Sequence, residues 1–90
     1  MFETLEELIT IIRQRKDSSI EESYTKKLLN NKNLSVAKIK EEVVELIDAV
    51  EKNTNKVHEA ADVLYHLMVL LEANDIKIED VMGELKKRQK

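Results

Sequence analysis

Phe2, Leu5, Leu8, Ile9 and Ile12 recur at intervals of three and four with charged residues between them, the spacing of one apolar stripe on a helix predicted to run to about Arg15. The stretch KDSSIEE then reads as a turn followed by a capping box, either Ser18 with Glu21 or Ser19 with Glu22. A short second helix should carry Tyr24, Leu28 and Leu29 and end in the polar run NNKN, with Ser35 as N-cap of a third helix reaching about Lys52. On that third helix Ile39, Val43, Leu46, Ile47 and Val50 share a face. NTN is the next break. A fourth helix is predicted from about Lys56 to Ala73, and its Ala60–Leu71 portion is apolar at almost every helical angle, so it is expected to be buried nearly all round. An Asn74–Asp75 turn leads to a last helix containing Val81 and Leu85.

Composition agrees with that pattern. One Gly and no Pro leave few helix breakers, and an all-α fold is expected, a bundle of about four to five helices in a single domain over residues 1–90. A chain this short buries only about 60 to 65% of the surface its unfolded form exposes, so a homo-oligomer completing the core is the default expectation. The chain has no Cys and no recognisable leader, and Asp62 and His66 interrupt its longest apolar run, which implies a cytoplasmic protein with no membrane partner. Fifteen basic residues against 18 acidic ones, and only three aromatic side chains, argue against a nucleic-acid partner.

The candidate chemistry is acidic. Glu41, Glu42 and Glu45 form E-E-x-x-E on the third helix, with Glu42 and Glu45 on the flank of its apolar face and Glu41 further round, and residues three or four apart stand one turn above each other. Glu59 and Asp62 form E-x-x-D on the fourth helix, in its most apolar neighbourhood. Carboxylates with little water need a cation, and few basic residues are near Asp62 in sequence. Two antiparallel helices facing each other with these patterns would make a cage for a divalent metal, and all-oxygen ligands select Mg²⁺ first and Mn²⁺ second, usually with a polyphosphate partner. The competing reading is an ion-pair network with lysines from a neighbouring helix or subunit, which would make the chain a non-catalytic helical dimerisation module. His66 reads as a satisfied core histidine, with a hydrogen bond to a carboxylate as the alternative.

These residues resemble a known family. E-E-x-x-E followed after thirteen residues by E-x-x-D is similar to the signature of the all-α, MazG-like nucleoside triphosphate pyrophosphohydrolases. LEELITIIRQRK, ESYTKKLL, KIKEEVVE, HEAADVLYHLMVLL and VMGELKKR, in this order, resemble the phosphoribosyl-ATP pyrophosphatases of histidine biosynthesis across nearly the whole chain. The resemblance implies hydrolysis of the bond between the α- and β-phosphates of phosphoribosyl-ATP. It implies a Mg²⁺ held by Glu42, Glu45, Glu59 and Asp62, with Glu41 or Glu42 orienting or deprotonating the attacking water. It further suggests substrate contacts from Arg15 or Lys16, from Ser23, Tyr24 and Thr25, and from Lys38, in a homodimer whose two chains build the bundle. A house-cleaning enzyme acting on free nucleoside triphosphates needs the same acids and is the alternative. Two positions depart from the family pattern: Lys40 stands where a Gly is usual, and NNKN where a Gly commonly follows the second helix.

Overall fold

The computed structural model describes residues 1–17 and 23–89, and the described residues form five helices and no strand. They are α1 (Glu3–Asp17), α2 (Tyr24–Leu29), α3 (Lys32–Lys52), α4 (Lys56–Ala73) and α5 (Ile78–Arg88). The fold class is all-α, and the predicted bounds of α4 match those observed. The Ser18 and Ser19 capping boxes lie outside the described residues. Phe2 precedes α1 and is largely exposed.

The start of α3 differs from expectation. Asn31 is its N-cap, with the side-chain oxygen accepting from the Leu34 amide at 3.0 Å, so part of NNKN is the first turn of α3. Ser35 instead lies within that helix, buried, and its hydroxyl donates 2.6 Å to the Leu28 carbonyl at the end of α2. Two short polar side chains compete for the cap, and the earlier one wins because helix formation extends to the first residue that satisfies the free amides. Asn30 closes α2 on the other side of that junction.

Ile12, Leu28, Leu29, Met68, Val69 and Ala73 form the buried core, bordered by Leu5, Leu8, Ile9, Leu34, Tyr65, Leu67, Leu71 and Ile78. The core therefore sits between α1, α2 and the C-terminal half of α4. α3 and α4 form an antiparallel hairpin through a tight turn in which Asn53 and Asn55 take left-handed φ of 57° and 44°, a conformation that Asn tolerates better than most residues. Burial of α4 nearly all round is not observed. Val57 and Leu64 are exposed, as are Val36, Val43, Val44, Ile47 and Val50 of α3, because α1 and α2 cover only one side of the hairpin in a single chain.

The far end of α4 is tied by charge. The Arg13 guanidinium donates through Nε to Glu72, an otherwise buried carboxylate, and through both terminal nitrogens to Glu79 of α5 at 2.7 and 3.0 Å. That fork holds the Glu79 carboxyl down to about 2.

Candidate metal and phosphate site

The α3–α4 hairpin places E-E-x-x-E opposite E-x-x-D. Glu42, Glu45 and Glu59 each offer a carboxylate oxygen within 4.8 Å of the others, and His58, Glu59 and Asp62 form a second such group sharing Glu59. Helical spacing explains the selection: Glu42 and Glu45 are one turn apart on α3, and Glu59 and Asp62 are one turn apart on α4.

The electrostatics are unfavourable as they stand. One oxygen of Glu42 and one of Glu59, Oε2 in each, are buried with no hydrogen-bond partner. Burial, with Glu45 next in importance, pushes the Glu42 carboxyl up, and the same two causes in the same order push Glu59 up. Orphaned buried carboxylate oxygens facing each other across two helices are what a hard divalent cation satisfies, so the residues present fit such an ion. Asp62 is more open, with Oδ2 3.4 Å from His58 Nε2.

Glu41 does not join that group. It is exposed, and Lys38 Nζ lies 3.5 Å from its Oε2. Lys38, Glu41, Glu42 and Glu45 nevertheless share one side of α3, whereas Lys40, at about 100° per residue, is on the opposite side and exposed. The departure at Lys40 is therefore turned away from the acidic wall.

Tyr24 and Thr25 of α2 reach the same region. Ser23 caps α2 by accepting from the Lys26 amide at 3.1 Å, which fixes the helix start. Thr25 Oγ1 and the Tyr65 hydroxyl share a hydrogen bond, and the half-exposed Tyr24 ring lies nearly parallel to Tyr65 with centroids 6.5 Å apart. Burial pushes the Tyr24 phenol up, and the positive charge of Lys38 opposes that shift. Tyr65 was not singled out from sequence. The signal was available, since Tyr65 and His66 follow Asp62 by three and four residues and so share its side of the helix.

Arg15 and Lys16 are not brought to this wall within one chain. Lys16 Nζ donates to the Glu72 carbonyl at 2.8 Å and to Asp75 at 2.7 Å, beyond the middle of α4 from Glu59 by about 20 Å of helix length. Arg15 is exposed on the last turn of α1.

Comparison with known proteins adds independent information. A family model for phosphoribosyl-ATP pyrophosphohydrolase matches residues 5–89. A phosphoribosyl-ATP pyrophosphatase of Methylobacterium nodulans is 48% identical over 88 residues, covering 94% of this chain and 82% of the relative. Another, of Clostridium novyi, is 40% identical over 92 residues, covering 98% and 83%. The histidine biosynthesis bifunctional protein HisIE of Pyrococcus furiosus is 45% identical over 87 residues, 96% of this chain but only 41% of that longer protein.

Proposed function

The chain belongs to the phosphoribosyl-ATP pyrophosphohydrolase family, and on that premise we propose that its α3–α4 wall carries out the Mg²⁺-dependent hydrolysis of phosphoribosyl-ATP to phosphoribosyl-AMP and pyrophosphate in histidine biosynthesis. Membership makes the chain a phosphoribosyl-ATP pyrophosphatase, an enzyme. The observation that carries the site assignment is the pair of buried, unpartnered oxygens on Glu42 and Glu59.

Glu42, Glu45, Glu59 and Asp62 would hold the cation, Mg²⁺ by preference and Mn²⁺ as the substitute. Such an ion, when bound, withdraws charge from phosphate oxygens as the bond between the α- and β-phosphates breaks. The chain's own groups do the rest. Glu41, outside the oxygen cluster and open to solvent, is placed to orient the attacking water and accept its proton. Lys38, now 3.5 Å from Glu41, can exchange that contact for a phosphate oxygen. Tyr24, with its ring half exposed against Tyr65, lines the approach, and Thr25 and Ser23 hold it there.

A homodimer is part of the proposal. Val36, Val44, Ile47 and Val50 are apolar side chains exposed along one side of α3, and a second copy would cover them. We also place the protein in the cytoplasm. No helix among the described residues is long and apolar enough to cross a membrane.

Pyrophosphate release tests the reading, with phosphoribosyl-ATP and free nucleoside triphosphates compared in Mg²⁺ and in chelator. Chelator-sensitive release from phosphoribosyl-ATP alone is expected. Release from free nucleotides instead would move the protein to the house-cleaning branch, and no release from either would leave a binding module.

A further inference from the structure

His66 is buried on α4, one turn beyond Asp62, with only 8% of its side chain exposed. Its Nε2 lies 3.8 Å from Oε1 of Glu42 on the facing helix. Two tyrosines meet the imidazole edge-on, Tyr65 at 5.0 Å and 80° and Tyr24 at 6.0 Å and 87° between centroids and planes. Tyr65 is itself held by Thr25 of α2. The ring is therefore wedged among groups from two helices, with its Nε2 side toward Glu42.

Glu42 has two oxygens with different surroundings. Oε1 faces the imidazole, while Oε2 is buried without a partner, and the carboxylate belongs to the group formed with Glu45 and Glu59. A carboxylate free to rotate about its last torsion would exchange those two oxygens, because that torsion is broad and roughly two-fold. We propose that His66 is a positioning residue for Glu42: its Nε2, 3.8 Å from Oε1 and so beyond hydrogen-bond length in the metal-free chain, is the donor that Oε1 takes up when the other oxygen is presented to a cation between α3 and α4. A ligating carboxylate is commonly oriented in this way by a neighbouring donor. The inference rests on the metal assignment made above.

The test compares His66→Phe and His66→Gln with wild type in the full chain. Mg²⁺ and Mn²⁺ binding is measured by calorimetry without substrate, together with metal-free melting curves and turnover as a function of Mg²⁺. His66→Phe keeps the apolar volume and loses the donor, so it should weaken metal binding by about ten- to a hundredfold. The Mg²⁺ concentration giving half-maximal turnover should rise in parallel, with KM for phosphoribosyl-ATP at saturating Mg²⁺ little changed. His66→Gln retains an N–H donor and should recover most of the affinity. Wild-type metal affinity in His66→Phe would overturn the inference, as would equal losses in the Phe and Gln variants, since packing alone would then explain both. Should His66→Phe not fold, His66→Asn replaces it: its shorter amide falls short of Glu42, and wild-type affinity there would also overturn the inference. If wild-type protein itself binds neither cation, the metal reading fails and the inference with it, an outcome distinct from wild-type binding that His66 variants leave unaltered.

Discussion

Glu59 shows how a residue can be costly to the metal-free fold and yet be proposed as a ligand in its chemistry. Its folded carboxyl lies above the ordinary glutamate value because burial and Glu45 disfavour the charge. A raised acid binds its proton more tightly when folded than when unfolded, so its contribution to stability is full below the ordinary carboxylate value and is lost as pH rises through the raised folded value. Glu42 acts with the same sign. Glu79, held down by Arg13, acts oppositely, with stability present above the ordinary value and lost as pH falls toward about 2. A difference between variants isolates the first effect. In chelator near neutral pH, Glu59→Gln should melt a few degrees above wild type, and the gap should close as pH falls toward the ordinary carboxylate range. Mg²⁺ should raise the wild-type melting temperature by mass action and leave the variant nearly unmoved. Thermal scans across pH with and without Mg²⁺ check both. For turnover, Asp62→Asn and Glu45→Gln should each lose at least about a hundredfold in pyrophosphate release at an unchanged helical signal, since each is proposed to hold the cation that takes up charge in the transition state.

At the scale of the helices, the junction of α2 and α3 shows how polar side chains carry the chain around a corner. Ser35 donates to the Leu28 carbonyl from a buried position, and Asn31 accepts from the Leu34 amide in the more open first turn. Ser35→Ala removes the partner of a buried carbonyl and should cost about 1–3 kcal/mol, whereas Asn31→Ala should cost about 1 kcal/mol. Urea unfolding of the two variants should therefore rank Ser35→Ala as the more damaging or equal. The reverse ranking would mean that the junction is held by the cap and not by the buried bond. The same helices explain the position of the site. α2 supplies Tyr24 and Thr25 only because this junction folds it back against α4, where Thr25 meets Tyr65.

The whole molecule is left with one hairpin face open. Val44, Ile47 and Val50 are each half exposed or more along one side of α3, and Leu64 is exposed on α4. Sedimentation of the wild-type chain is expected to report a dimer. Ile47→Glu, placing a charge in the middle of the patch, should shift it to monomer at the same concentration and lower its melting temperature, because small domains depend on such surfaces to complete their cores. A monomeric wild-type chain would remove the second copy from the proposal and leave the site to one chain. The matches to the phosphoribosyl-ATP pyrophosphatases cover nearly all of this chain, so the open face belongs to the same unit that carries the acids.

The helices themselves were legible in the linear order of residues. Periodicity at three and four reports a helix wherever one side meets apolar neighbours, and the Asn-containing breaks marked where α2, α3 and α4 end. The acids of the wall were legible too, because Glu42 with Glu45 and Glu59 with Asp62 are each local pairs one turn apart. Three things depended on tertiary packing. Ser35 was a cap by type but became a buried donor, since only the fold brought the Leu28 carbonyl to it. Glu41, further round α3 than Glu42 by about 100°, was left out of the oxygen cluster because the packing of α3 on α4 turned Glu42, and not its neighbour, toward Glu59. Tyr24, Tyr65 and His66 came together from two helices separated by some forty positions of chain, a contact that no local spacing encodes. Local rules decide which residues share a face; only the packing of one helix on another decides what that face meets.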